Sequence, residues 1–466
     1  MAEIQRPSID LVRRGEPGYE SLRRAAVWNE RKPDRYPDVI ALARGEADVV
    51  AAVRYAAEQG MAIGIRSGGH SWVGNGVRDG GMLLDLSELQ EITVDPVARI
   101  AAVQPAAKGP AVYESVSAHG LFFPTGHAPT VGIGGFIIGG GYGWNSRFLG
   151  PACLSIEAID VVLADGTLVH ADDGSHPDLM WAVRGSGPGF FGVVTRFYLR
   201  LHPHPVRILR TVHSYPMECR DEVLAFACDA LEHLPREVEI SAKVGFVPGG
   251  EEHLVSLTAT AFCTPDTPVD PLAHLETAPF RDRAVRAVVA EPVTMPELYD
   301  LADALNPAGL RWSLDGMWLD GTSAQLVDLA REVNDTLPPG SCFVLWMVWG
   351  GFPERDDACW SAQGGVYLSP NAGWTDPADD LSHESWTNLP LERIQAHSRG
   401  IQFSDNNLAD RFDDGIRPAQ AARLEQIRAV YDPDGRFNSY MRPEESSTAF
   451  AHARRAIVDS SSDSAR

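Results

Sequence analysis

The chain has 466 residues, 44% hydrophobic and 22% charged, with 40 Lys and Arg against 63 Asp and Glu for a formal net charge of −23. That length favours two or more domains, or one with a large insertion, and the composition excludes a collagen, a coiled coil and a wholly disordered chain. So acidic a surface repels phosphate backbones, which argues against a nucleic-acid partner.

The N-terminus, beginning Met1-Ala-Glu-Ile-Gln-Arg-Pro7, lacks the basic and apolar regions of a signal peptide. No run reaches the roughly 18–20 apolar residues of a membrane span. From Asp48 to Gln59, Val49, Val50, Val53, Ala56 and Ala57 fall on one helical face, and Gly60 supplies a left-handed stop. Met61–Arg66 and Met82–Leu86 read as short buried strands. Ile92–Ile100 reads as a hairpin turning at Asp95-Pro96, and Ile156–Leu163 with Thr167–His170 as a second hairpin about Ala164-Asp165-Gly166. The first 200 residues or so thus alternate helix and strand. Between Val206 and His397 strand-like pieces (Leu254–Phe262, Cys342–Trp349) mix with helical ones (Ala324–Val333), and Trp is dense. Such residues serve packed cores first and ligand pockets second. Pro418–Val430 reads as a helix with Pro in its first turn, closed by Asp432-Pro433-Asp434-Gly435. From about Glu444 the chain turns polar, and disorder is expected over 446–466.

The six cysteines (Cys153, Cys219, Cys228, Cys263, Cys342 and Cys359) are scattered with no CxxC pair, so the expectation is buried thiols in a cytoplasmic protein, not a disulfide scaffold or a zinc site. His202, His204 and His213 read as loop histidines, and no metal is expected. Lysine occurs only at Lys32, Lys108 and Lys243, a bias we ascribe to codon usage.

Three segments carry the chemistry. Arg66-Ser67-Gly68-Gly69-His70-Ser71, running on to Gly76, follows a strand; its backbone N–H groups can cradle a diphosphate. Gly126-His127-Ala128-Pro129-Thr130-Val131-Gly132-Ile133-Gly134-Gly135, continuing to Gly139-Gly140-Gly141-Tyr142-Gly143, is too glycine-dense for a helix or strand interior and suits close contact with something flat or phosphorylated. It is no Rossmann fingerprint, because Ile137 stands where the third Gly is required, which disfavours an ordinary NAD site. The third, Asp178–Gly187 followed by Phe190–Thr195, reads as helix, glycine turn and strand.

Together these motifs resemble the FAD-linked oxidases of the vanillyl-alcohol oxidase (PCMH) superfamily, in the berberine-bridge-enzyme-like branch. The match rests on Arg66–His70, Gly132–Gly135, Gly139–Gly143, Leu179–Ala182 and Phe191–Thr195, and returns at Tyr431–Phe437. The resemblance implies an α+β protein. A two-part FAD-binding domain would occupy 1–205 (core 35–205), a substrate domain with an antiparallel sheet backed by helices 206–397, and a C-terminal segment returning to the FAD domain 398–445. It implies FAD bonded covalently to His70. Some members add a Cys thioether; that position is Ala128 here, so a single link is expected. Cofactor contacts are expected from Arg66, Ser67, Gly68, Gly69, His70, Ser71, Gly126, Thr130, Val131, Gly132, Gly134, Gly135, Gly139, Gly143 and Val193. His127 is expected beside the flavin without a catalytic role.

The C-terminal part departs from the pattern. Related sequences carry Tyr-x-Asn-Phe or Tyr-x-Asn-Tyr, whereas this chain has Gly400-Ile401-Gln402-Phe403, and Phe437-Asn438-Ser439-Tyr440-Met441 stands where many end Phe-x-x-Asn-Gln-Asn. Candidates for the proton-accepting role are Tyr440, Asp405 and Asn407, with His397 and Tyr367 behind them. The expected activity is oxidation of a C–H next to a hydroxyl or amine on a medium-sized organic molecule of secondary metabolism, with O2 as acceptor and H2O2 as product. The expected protein is a monomer or homodimer without membrane partners. Alternatives are a dehydrogenase with another acceptor, a cyclase or dehydratase on the same fold, and a non-catalytic flavin-binding protein. A hydrolase ranks low, since Gly69-His70-Ser71-Trp72 continues with Val73 where a nucleophile elbow needs Gly.

Overall fold

A computed structural model describes residues 9–247, 252–406, 408 and 415–455. Four short strands, β1 (Asp10–Arg13), β2 (Val39–Leu42), β3 (Ile63–Arg66) and β4 (Met82–Asp85), form a sheet in the order β1-β2-β4-β3, after helix α1 (Tyr19–Ala25) has left β1. Strands β2 and β3 both run parallel to β4, so the chain needs a crossover between them. Helix α2 (Glu46–Gln59) supplies it, burying Val49, Ala52, Val53 and Ala56 at helical spacing and ending on Gly60 at φ 65°. Each such valine contributes about 1.5–3 kcal/mol of burial.

The second half of this domain is an antiparallel sheet, β5 (Ile92–Asp95), β6 (Ile100–Val103), β8 (Ile156–Val162), β9 (Leu168–Asp172) and β10 (Val193–Arg200), in the order β5-β6-β10-β8-β9. Strand β7 (Leu121–Phe122) pairs separately with β11 (His202–Pro203). Helices α3 (Gly109–Ser117), α4 (Ile133–Ile138), α5 (Ser146–Leu149) and α6 (Pro177–Val183) complete the domain.

The following region builds a large antiparallel sheet. Its strands are β12 (Arg207–Tyr215), β13 (Val238–Gly245), β14 (Leu254–Cys263), β15 (Arg286–Pro292), β16 (Arg311–Leu314), β17 (Met317–Leu319), β18 (Ser341–Val348) and β19 (Val366–Trp374). The order is β15-β12-β14-β13-β18-β19-β16, with β17 also on β19. Its residues alternate in kind, as a strand with two different faces requires. On β13, Ile240, Ala242 and Val244 join the apolar core, whereas Glu239, Ser241 and Lys243 face the other way into a cavity. The apolar face is covered by α7 (Arg220–Asp229), α9 (Ser323–Leu329), α10 (Arg331–Asp335) and α11 (Asp380–Arg393). Helix α8 (Met295–Leu305) instead reaches the first domain, where Tyr299 and Thr125 hydroxyls lie 2.5 Å apart.

The chain then returns to its beginning. Helix α12 (Pro418–Tyr431) anchors Arg428 to the Gly189 carbonyl at 2.7 Å, and Phe437 forms a parallel bridge with Ile63 beside β3. The result is the α+β fold with a two-part first domain and a helix-backed antiparallel sheet. One expectation is corrected. Disorder was expected from residue 446, yet residues 449–455 are helical, with Phe450 and Ala451 buried and the Phe450 N–H donating to Glu384 Oε2 at 2.7 Å. The chain beyond 455 lies outside the described residues. Among the described residues no helix is long and apolar enough to cross a membrane.

Candidate active site

A cavity of about 700 Å³ lies between the glycine loops of the first domain and the polar face of the large sheet, within the range of about 300–1,000 Å³ usual for cofactor and ligand sites. The loop after β3 forms one wall. Arg66 ends the strand with its guanidinium on Asp85 at 2.7 Å, and Gly69 turns the chain at φ 71°. Beyond it, the backbone N–H groups of Ser67, Gly68, Gly69, His70 and Ser71 donate to no protein acceptor among the described residues. All five residues line the cavity. Consecutive unpaired donors on a cavity wall fit a diphosphate.

The second glycine segment packs against the first, backbone to backbone. A Cβ on Gly68 would lie 2.6 Å from the Gly132 nitrogen, and one on Gly132 would lie 2.8 Å from the Gly68 Cα. Gly126, Val131, Gly132, Gly134, Gly135 and Gly139 all line the cavity, as expected from sequence. Three expected contacts do not. Thr130 stands behind the wall, with its hydroxyl on His70. Gly143 is wedged against Thr125, where a Cβ would meet the carbonyl oxygen at 2.0 Å, and Val193 is fully buried in β10 while its neighbours Gly192 and Val194 face the cavity. The requirement for glycine at 143 is therefore packing.

His70 stands where the two loops meet. Its ring stacks on Trp28 (centroids 4.4 Å apart), and Nε2 lies 2.9 Å from Thr130 Oγ1. Burial holds its pKa down at about 4, so the imidazole is neutral near pH 7. Nε2 is thus the nitrogen that faces Thr130. Ala128 lines the cavity and no cysteine does. The unpaired amides, the glycine contacts and the neutral histidine all fit a flavin dinucleotide. Ser71, the residue a hydrolase would need, has its Oγ occupied by the Asn75 N–H at 3.0 Å.

The proton-accepting candidates divide. Asp405 lines the cavity, and burial pushes its carboxyl up to about 6, with His127 partly opposing. Tyr367 also lines it; its hydroxyl donates to Asn406 Oδ1 at 2.6 Å, and Asn406 in turn donates to Asp315 at 2.6 Å. Tyr440 does not line it. Its hydroxyl donates to the Ser186 carbonyl at 2.8 Å and its ring stacks on Phe403, so it is a packing residue beneath the Gly187 turn. His397 is exposed and away from the cavity, and Asn407 lies outside the described residues. The loop reading of His202 and His213 is corrected: they lie on β11 and β12, because both strands pair there, with His213 fully buried and its Nε2 3.0 Å from Glu276, while His204 contacts the Tyr113 hydroxyl.

Sequence reasoning missed the opposite wall. Tyr142 closes one side of the cavity; its hydroxyl accepts from Trp360 Nε1 at 2.6 Å and its ring packs on Trp318 and Trp349. Arg210, Glu239 and Lys243 come from β12 and β13. The period-2 pattern on these strands carried the signal, but only sheet pairing shows which face meets the cofactor.

A cleft walled by glycine loops, between a two-part α+β domain and the polar side of an antiparallel sheet, is the arrangement of an FAD-dependent oxidoreductase of the PCMH type. Comparison with known proteins agrees. Residues 37–172 match the FAD binding domain family. The FAD-linked oxidoreductase ptmO of Penicillium ochrochloron is 30% identical over 91% of this chain and 95% of its own. The structure of 6-hydroxy-D-nicotine oxidase from Arthrobacter nicotinovorans superposes with a TM-score of 0.81 at 23% identity, covering 94% of this chain and 99% of that one. The BBE-like 1 protein of Physcomitrella patens gives 0.80 at 18% identity, covering 94% and 97%. The chain belongs to the FAD-linked oxidoreductases, with FAD as its cofactor.

Proposed function

We propose that this enzyme is an oxidase with its flavin bonded to His70 alone. It would remove hydride from a carbon bearing a hydroxyl or amine on a flat, medium-sized organic molecule. Two electrons and two protons leave the substrate and O2 takes them as H2O2. The observation that carries the reading is His70 itself, a neutral imidazole on the cavity wall with one nitrogen engaged by Thr130. The absence of cysteine from the lining supports a single link. When bound, the flavin supplies the hydride acceptor.

The protein's own part is orientation and proton transfer. Asp405 is the base we assign, because a carboxylate titrating near 6 is ionised at neutral pH yet basic enough to take a proton from a hydroxyl or ammonium. Tyr142, Trp349 and Tyr367 supply an aromatic enclosure for a flat substrate and exclude water. The relative named 6-hydroxy-D-nicotine oxidase supports the oxidase reading.

The test is the visible spectrum of purified protein before and after acid precipitation, followed by oxygen uptake during turnover. Yellow colour retained in the pellet, lost in His70→Ala, supports the link. Colour released to the supernatant removes it. Dye reduction without oxygen uptake makes the enzyme a dehydrogenase.

A further inference from the structure

The polar face of the large sheet carries one residue row that runs unbroken along the cavity. Val212 on β12 stands opposite Thr258 on β14, Thr258 opposite Ser241 on β13, Ser241 opposite Met347 on β18, and Met347 opposite Tyr367 on β19. All five residues line the cavity. Four strand spacings separate the ends of the row, about 19 Å. No charged side chain stands in it. Arg210, Thr260 and Glu239 make the next row on one side, and Ser214, Ser256 and Lys243 the next on the other. The cavity floor is therefore a long uncharged strip. The glycine loops that would hold the flavin form the facing wall, so the strip is left to substrate.

Helix α8 runs across the β12 end of this floor. The chain enters the helix from β15 at one edge of the sheet and leaves it for β16 at the other. Leu298 packs with Ile208 and Phe262, a cross-strand pair on the same face as Val212 and Thr258. Leu301 and Leu305, three and seven residues on, continue the stripe of Leu298 and line the cavity. Glu297, Asp300 and Asp303 are exposed and do not line it. The helix thus turns its apolar side to the cavity, and Leu301, still 42% exposed, has surface for a ligand to cover. The other end of the strip is the reacting end. The Tyr367 hydroxyl donates to Asn406 at 2.6 Å, and Asn406 follows Asp405, the base assigned above.

We propose that the strip from Tyr367 to Val212, with the Leu301 and Leu305 side of α8, is a trough for an elongated substrate. The molecule reacts at the Tyr367 end and lays an apolar tail against Val212 and Leu301. A substrate the size of one aromatic ring would cover only the β19 end and leave Leu301 in water. This rests on the oxidase reading for the choice of reacting end and narrows it: the substrate is long and largely apolar, and its far end sets affinity through Val212 and Leu301.

The test uses the holoenzyme and a homologous set of neutral probes: 4-ethyl-, 4-butyl- and 4-hexylbenzamide. None has a hydrogen on a carbon bearing a hydroxyl or amine, so binding is read without turnover, by equilibrium dialysis and by perturbation of the flavin spectrum. Each pair of added methylenes should tighten binding about 10-fold. Val212→Asp and Leu301→Asp should each flatten the series while changing the affinity for 4-ethylbenzamide less than about 2-fold, because burying a tail beside a carboxylate loses the apolar gain. Leu301→Met should keep the slope. Unchanged flavin content and melting temperature show that the variants are folded. Affinity that stops rising at the ethyl member, or no binding of any member at millimolar concentration, overturns the trough. A slope that survives either Asp variant, or an equal loss for the ethyl and hexyl members, overturns its placement along the strip. A colourless wild-type protein fails the oxidase reading instead; dialysis still reads the slope, so the two failures are distinct.

Discussion

His70 Nε2 and Thr130 Oγ1 lie 2.9 Å apart although the residues come from separate glycine loops. This contact, with the stacking on Trp28, sets which way the ring faces. Thr130→Val keeps the volume and removes the hydroxyl. We expect it to lower the fraction of flavin that survives acid precipitation while leaving the melting temperature within a degree or two. A full complement of acid-stable flavin in Thr130→Val would show that stacking on Trp28 alone orients the ring.

With Asp405 as the proposed base, its carboxyl governs the expected pH dependence. That carboxyl is raised to about 6, and the base must be ionised to accept a proton. The rate should therefore rise as pH rises through about 6 and level off above it. Asp405→Asn should lower kcat by about 100-fold or more at pH 8 with the flavin spectrum unchanged. A pH profile without the limb near 6 would exclude Asp405 and move the role to Tyr367.

The backbone contact between the glycine loops leaves no room for a methyl group. In Gly68→Ala the new Cβ would stand 2.6 Å from the Gly132 nitrogen, and neither loop has a flexible side chain to yield. We expect about 1–3 kcal/mol of destabilisation and substoichiometric flavin in the purified protein. Gly120→Ala is not a neutral control, because its φ is 68°; Gly45→Ala is the better comparison, with extended backbone, no atom within 4 Å of its Cβ and no place in the cavity wall.

Glu384 joins three segments distant in sequence. It is fully buried on α11, pairs with Arg31 and accepts the Phe450 N–H at 2.7 Å. Removing one partner of a buried ion pair strands the other charge and costs about 3–5 kcal/mol. Glu384→Ala should lower the melting temperature by several degrees. It should also make the C-terminal helix at 449–455 more sensitive to proteolysis, detectable by mass spectrometry of a limited digest. A melting temperature unchanged from wild type would mean the pair is worth no more than an exposed one.

The cofactor wall was legible in the sequence because it is built from contiguous segments. Arg66–Ser71 and Gly126–Gly139 concentrate glycines where two backbones must touch each other and a ligand, and no regular element tolerates that density. Helix α2 and the two hairpins were legible for a similar reason, since their apolar spacing and turn residues are local. The sequence by itself determined the FAD domain, the two glycine loops that put His70 on the cavity wall, and the alanine at 128. Only the tertiary structure decided that Asp405 reaches the cavity while Tyr440 packs behind it, and that residues 449–455 dock through Phe450. The same holds for Arg210 and Lys243. Alternation along β12 and β13 marks two faces, but a period of two does not say which face is covered by helices and which by the flavin domain. That choice is made by pairing and packing between residues hundreds of positions apart, and no local pattern records it.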